Sequence, residues 1–195
     1  MNGPGQRSQR ERMIAGDLYR ADDPEIQHDL LRAAKLMFEY NNSMPADVGR
    51  RGRILSELLG AVGRGSEVRP PLYCDYGYNI RIGAGTFVNY GLVALDVASV
   101  TIGNDVQIGP DVQLLTATHP VQAELRRQKW EYARPICIGN NVWIGGGAIV
   151  CPGVTIGDDT VVGAGAVVVR NLPSNVVAVG NPAHVIRHVS DMRAD

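Results

Sequence analysis

The sequence predicts a mainly β chain: a parallel β-helix preceded by a helical segment and interrupted by one long loop. Three observations carry this. First, Ile138, Ile144, Val150, Ile156, Val162 and Val168 stand six residues apart. Second, Gly139, Gly145, Gly157 and Gly163 directly follow four of them, and Val142, Ala148, Val154, Thr160 and Ala166 stand four positions after the first five. Third, the 23 glycines fall mostly after Gly77, while aromatics make up only 6%. Glycine in register with isoleucine and valine marks a repeat, not a low-complexity tract. A period of six suits neither a helix nor a hairpin. It fits a solenoid in which each hexapeptide forms one side of a triangular coil. The aliphatic residue then points inward, the small residue sits at the corner, and glycine is expected to supply the backbone angles of the turn.

The elements follow in order. Residues 1–66 form a helical segment expected to pack on the solenoid, with residues 11–63 reading as helical. Asp22-Asp23-Pro24-Glu25 is a helix start, with an aspartate cap and proline in the first turn. Ile26, Leu30, Ala33, Ala34 and Met37 then keep helical spacing. The stretch from Asn41 to Pro45 breaks that helix. A second runs from about Asp47 to Leu59, with Leu55, Leu58, Leu59 and Val62 apolar and Gly60 and Gly63 as stops. Two short amphipathic helices cannot bury their apolar faces alone.

The β-helix is expected over residues 67–172. The repeat is visible early, at Ile82-Gly83, Ile102-Gly103 and Ile108-Gly109. Between Val88 and Ile102 the spacing is 14, so one coil carries a two-residue insertion. Over 115–135 the period is lost in a long polar loop, and long loops interrupting a rigid scaffold usually carry function. Residues 173–195 form a capping tail, with a turn at Gly180-Asn181-Pro182 and a short helix expected to close the open end.

The formal net charge is −1, from 19 basic and 20 acidic residues, which gives no electrostatic reason to expect nucleic acid or an anionic membrane as partner. No window has the apolar length of a membrane span, and the polar N-terminus lacks a secretory signal. The three cysteines, Cys74, Cys137 and Cys151, form no CxxC pair and read as reduced, structural thiols of a cytoplasmic protein. Of the four histidines, His28 lies in the N-terminal helix and His184 and His188 lie in the tail. His119 alone stands where the solenoid opens into its long loop, in Thr116-Ala117-Thr118-His119-Pro120. Histidine is the natural proton acceptor near neutral pH, but the residues alone leave His119 open between a base and an idle loop histidine.

Several longer segments resemble one family. They are AGDLY near position 17, PPLYCDYGYNIRIG at 70–83, TIGNDVQIGPDVQLLTATHP at 101–120, the run at 138–173, and VAVGNPAHVIR at 177–187. The chain resembles the maltose and galactoside O-acetyltransferases, with their nodulation-type sugar acetyltransferases, among the hexapeptide-repeat acyltransferases. The resemblance implies left-handed winding, a homotrimer with active sites between subunits, and direct transfer of acetyl from acetyl-CoA to a hydroxyl of a sugar or related small acceptor. It implies His119 as general base and Asn89 as a holder of the tetrahedral intermediate. It places Asp75, Asp96 and Asp22 on the acceptor side; Glu131 and Tyr132 are expected to line the pocket from their place in the long loop. It places Trp143, Gly146, Ala164, Arg170, His184 and Arg187 along acetyl-CoA, and calls for no metal. Gly91 stands where the family often has a second asparagine, and His184 replaces a common arginine.

Three other readings compete. A hexapeptide-repeat carbonic anhydrase needs three histidines on zinc, and only His119 adjoins the solenoid. A β-helix that binds without catalysis would not need the His119 loop. Acetylation of serine, a xenobiotic or a polysaccharide would keep the fold and change the acceptor.

Overall fold

The structure, a computed structural model, describes residues 7–191. Residues 1–6 and 192–195, the extreme ends of the expected helical segment and tail, lie outside the described residues. Three parallel sheets form the body, and each coil contributes one short strand to each sheet. The first face holds Ala61–Val62, Ile80–Ile82, Val100–Ile102, Ile136–Ile138 and Thr155–Ile156. The second holds Glu67–Val68, Phe87–Val88, Gln107–Ile108, Trp143–Ile144, Val161–Val162 and Val176–Val179. The third holds Leu72–Cys74, Leu92–Leu95, Gln113–Leu115, Ile149–Val150 and Val167–Val168.

Strands this short have no stability of their own and are held by the coils above and below. Ile82, Ile102, Ile138 and Ile156 are register partners in one inward stack. Each is at most 3% exposed. Burying one such side chain contributes about 1.5–3 kcal/mol. The small residues at the corners, Val142, Ala148, Val154, Thr160 and Ala166, point inward as well and are buried. Cys74 continues the column of Ala94 and Leu114 and is buried, as a structural thiol should be. Cys137, in contrast, faces outward and is exposed.

The repeat glycines have a reason other than the expected one. Gly103 and Gly139 do not have positive φ; the left-handed residues are Gly85, Asp105, Asn141 and their equivalents, two positions further on. At Gly103 a Cβ would stand 2.5 Å from the Gly139 carbonyl oxygen in the next coil. Glycine there permits the close approach of two coils. On the same corner Asn140 Oδ1 accepts from the Asn104 N–H at 2.9 Å, and Asp158 Oδ1 accepts from the Asn140 N–H at 2.6 Å. This side-chain ladder satisfies amides that the turn leaves unpaired.

The coils are regular on two corners and irregular on the third, where the third face returns to the first. There the chain adds residues 75–79, 96–99 and 116–135. The two-residue insertion therefore lies at Asp96–Ser99. The long loop is not structureless: it forms strands Ala117–Thr118 and Trp130–Ala133, paired antiparallel, around a short helix Ala123–Arg127.

The N-terminal segment covers this corner and the first coil. Its helices span Gln9–Ile14, Pro24–Asn41 and Val48–Leu58. Asp23 caps the second by accepting from the Glu25 N–H at 2.9 Å, and Asp47 caps the third. Asn41 exchanges two hydrogen bonds with the Leu72 backbone, each 2.9 Å, fixing the long helix against the solenoid. Val62 does not extend the last helix. It pairs with Ile82 in a strand, so the first parallel strand lies ahead of residue 66. The tail also departs from expectation. In place of a capping helix, Val176–Val179 continues the second face and His184–His188 folds back antiparallel on it, because the β-branched residues Val176, Val177, Val179, Val185 and Ile186 favour a strand. Among the described residues, a single 3-10 turn, Val189–Asp191, follows.

Candidate active site

The irregular corner gathers the titratable groups. The backbone of Asp75-Tyr76-Gly77-Tyr78-Asn79 bends around the Asp96 carboxylate. Asp96 Oδ1 accepts from the Asp75 and Tyr76 N–H groups at 3.0 and 2.8 Å, and Oδ2 accepts from the Asn79 N–H at 3.2 Å. Asp96 is 0% exposed. This corrects its expected place on the acceptor side: both oxygens are spent on the backbone, and the side chain shapes the corner that presents Asp75. Burial pushes its carboxyl above the usual range, against the pull of those N–H groups.

Asp75 itself is half-buried. Burial first, then the charges of Asp96 and Glu131, raise its carboxyl to about 6. Glu131 arrives from the long loop and accepts from the Tyr19 phenol at 3.0 Å. Tyr19 lies in a two-residue strand, Tyr19–Arg20, that pairs antiparallel with Trp130 and Glu131. It is 1% exposed, in a small second core with Met13, Ile26, Tyr76, Val97 and Ala133. Burial and Glu131 push its phenol far above the ordinary range. Sequence reading missed Tyr19 as a site residue, although the AGDLY segment that contains it was conspicuous.

His119 follows the strand Ala117–Thr118 and is exposed in the single chain, with Pro120 buried behind it. Thr116, fully buried, anchors the root of the loop: its N–H reaches the Leu95 carbonyl at 3.2 Å and its Oγ1 accepts from the Ala98 N–H at 3.0 Å. Arg126 donates to the carbonyls of Pro120 and Val121, holding the chain just beyond His119. Asp22 is not drawn into the cluster. It is exposed and pairs with Arg20 at 2.7 Å, outside the group formed by Asp75, Asp96 and Glu131.

The remaining candidates stand elsewhere. Asn89 is half-buried on the corner between the second and third faces, its Oδ1 accepting from the Tyr90 N–H at 2.9 Å and its Nδ2 free to donate. Gly146 and Ala164 lie on the same corner in later coils, where the Gly165 N–H bonds the Gly146 carbonyl at 2.9 Å. A Cβ on Gly146 would meet Pro110 at 3.2 Å, so a side chain there would crowd the neighbouring coil. Trp143 is 57% exposed on the outer side of the second face, beside Gln107 and Val161. Val177 continues that row and pairs with Arg187; His184 pairs with Val179. Arg170 is exposed on the irregular corner, away from that row. The site residues thus form two groups on opposite edges of the third face. His119, Asp75 and Glu131 lie at one edge, and Asn89, Gly146 and Ala164 lie at the other. The strands Leu92–Leu95 and Gln113–Leu115 run between them.

Among the described residues, no three or more His, Cys, Asp or Glu side chains are grouped to hold a metal ion, and no helix is long and apolar enough to cross a membrane.

Residues 12–63 match the family model described as the maltose acetyltransferase hexapeptide capping motif, and residues 138–170 match the bacterial transferase hexapeptide of six repeats. Nodulation protein L of Rhizobium leguminosarum bv. viciae is 52% identical, over 92% of this chain and 94% of its own. The crystal structure of a maltose O-acetyltransferase from Clostridium difficile 630 superposes with a TM-score of 0.92 at 44% identity, covering 93% of this chain and 97% of that one. A galactoside acetyltransferase in complex with coenzyme A gives 0.91 at 43% identity, covering 95% and 93%.

Proposed function

The chain belongs to the maltose and galactoside O-acetyltransferase family, and from that premise we propose how its own residues move acetyl from acetyl-CoA to a sugar hydroxyl. It is an acetyl-CoA-dependent acyltransferase, with acetyl-CoA as co-substrate. A sugar alcohol is almost fully protonated at neutral pH, so its oxygen attacks a thioester only as its proton is removed. His119 takes that proton while the oxygen bonds to the acetyl carbonyl carbon. The carbonyl oxygen gains negative charge, and Asn89 Nδ2 donates to it. The tetrahedral centre collapses, the carbon–sulfur bond breaks, and the imidazolium returns its proton to the CoA sulfur. Atoms and protons balance, and no enzyme nucleophile is required. Cys74, the thiol nearest the acceptor corner, is buried, and burial keeps it protonated.

The acceptor lies against Asp75, whose carboxyl oxygens are hydrogen-bond acceptors for sugar hydroxyls. Acetyl-CoA lies along Gly146, Ala164 and Trp143 with Arg187 meeting phosphate, and Arg170, on the opposite edge, reaches it from a neighbouring copy. The observation that carries this reading is the division of the residues between two edges of one face. A single chain holds the proton acceptor at one edge and the oxyanion donor at the other. Apposing the unlike edges of neighbouring copies completes the site, and three copies close the ring. This supports a homotrimer with shared active sites.

The test is CoA release from acetyl-CoA across a panel of hydroxyl acceptors, with thiol detection, in the native protein and in His119→Ala. Sugars are expected to lead the panel, and the variant is expected to lose about 10²–10⁴ in kcat with folding and acetyl-CoA binding intact. A variant with near-native kcat removes His119 from this role.

A further inference from the structure

We propose that Tyr19 is a positioning residue for His119, acting through Glu131. The inference rests on His119 being the base, and it makes the N-terminal segment part of the catalytic apparatus. The solenoid itself does not hold His119. Its last contact on that strand is at Leu115, paired with Leu95, and Thr116 ties the root. Beyond Thr116 the chain is held by a separate three-stranded antiparallel sheet, Tyr19–Arg20 on one edge, Trp130–Ala133 in the middle, and Ala117–Thr118 on the other edge. Thr118 is paired with Tyr132, and His119 is the next residue.

The edge strand Tyr19–Arg20 has only two residues, too few for backbone pairing to fix the sheet. Tyr19 packs with Ala133 and Ala117 in the second core, and the directional tie is the side-chain bond from the Tyr19 hydroxyl to Glu131 Oε2, 3.0 Å. That bond joins a phenol buried in the second core to a carboxylate presented by the middle strand. A buried phenol without its acceptor is costly, so the bond resists being broken. The second core therefore reaches His119 through the sequence Tyr19, Glu131, Tyr132, Thr118. Displacement of a catalytic group by about 1 Å costs up to about 10²-fold in rate.

The experiment uses four full-length variants: Tyr19→Phe, Glu131→Gln, Glu131→Met and the double Tyr19→Phe/Glu131→Met. Tyr19→Phe and Glu131→Met are each expected to lower kcat about 10- to 100-fold with the acetyl-CoA KM unchanged. Glu131→Gln keeps an oxygen for the phenol to donate to, so it should retain most of kcat. The double variant should be no slower than either single, because the two groups act as one unit. Amide exchange without substrate is the second readout: in Tyr19→Phe, residues 117–133 should exchange faster while the solenoid strands stay as protected as in the native protein. Unchanged exchange in that hairpin overturns the proposal whether or not the enzyme acts on the sugars tried. Additive losses in the double variant, or a Glu131→Gln as slow as Glu131→Met, overturn it through kinetics. Failure of the catalytic reading shows differently, as a His119→Ala variant with native kcat.

Discussion

The solenoid body and its irregular corner are made by different rules. In the body, each residue's role is set by its place in the six-residue period, and equivalent positions do equivalent work. Ile82, Ile102, Ile138 and Ile156 are interchangeable in kind. At the irregular corner no two residues are equivalent. Asp96 folds the backbone, Asp75 has its carboxyl raised to about 6, Tyr19 is buried to reach Glu131, and His119 stands exposed. Repetition yields rigidity and a regular edge. The titratable groups collect where the repeat is interrupted and a distant segment fills the gap.

The largest expected effect tests whether the two edges of the third face belong to one site. His119→Ala and Asn89→Ala should each be nearly inactive alone. Unfolded together and refolded as mixed trimers, they should recover up to about a quarter of native activity, the fraction of sites drawing an intact edge from each parent. If mixing restores nothing while trimers exchange, the site lies within one chain.

The second prediction concerns the body. Ile138→Ala removes a fully stacked side chain and should cost about 2–5 kcal/mol by denaturant midpoint, with kcat per folded molecule unchanged. A loss of kcat at full folding would mean that body and corner are not separable in this way.

The third concerns the outer row of the second face. Arg187→Ala should raise the acetyl-CoA KM about tenfold or more, roughly 1.5 kcal/mol, and leave the acceptor KM alone. Titration with CoA by calorimetry checks it directly. An unchanged CoA affinity would leave phosphate binding to other residues.

The same contrast explains what could be read from the residues. The coils were legible from 138 onward because a period of six repeats an identical constraint. The reason for the glycines was not, since a close approach between Gly103 and Gly139 joins residues of different coils. The helix starts at Asp23 and Asp47 were legible because a cap is a local bond. The tail hairpin was missed because a turn at Gly180-Asn181-Pro182 serves a helix or a strand equally, and only the open edge of Val176–Val179 decides. His119 was found by its place at the break in the period. Tyr19 was not, because its partner Glu131 is 112 positions away and nothing local announces an antiparallel pairing of two residues. Asp96 was misplaced for a related reason: a carboxylate that folds backbone and one that meets a ligand look alike in sequence.

The smallest predicted effect asks whether the corner sacrifices stability for its chemistry. Asp75 is raised from 3.8 to about 6 by burial, Asp96 and Glu131. The folded state therefore holds this proton more tightly than the unfolded chain does. The associated stabilisation is present below about pH 4 and is lost as pH rises through about 6. Above that, the folded protein carries an ionised carboxylate in surroundings that oppose it. Asp75→Asn keeps the shape without the ionisation. It should be more stable than the native protein by about 1–2 kcal/mol at pH 8, after discounting for its partial exposure, and should gain little at pH 4. Its acceptor KM should rise, since an amide is a poorer acceptor for hydroxyls than a carboxylate. Thermal melts at the two pH values are the measurement. An equal shift at both would trace the change to packing, and no shift at pH 8 would show that the corner carries its charge without cost. A gain confined to high pH, joined to a weaker acceptor, would mean that Asp75 is kept for binding at the expense of stability, which no residue in the inward stacks of the solenoid is asked to do.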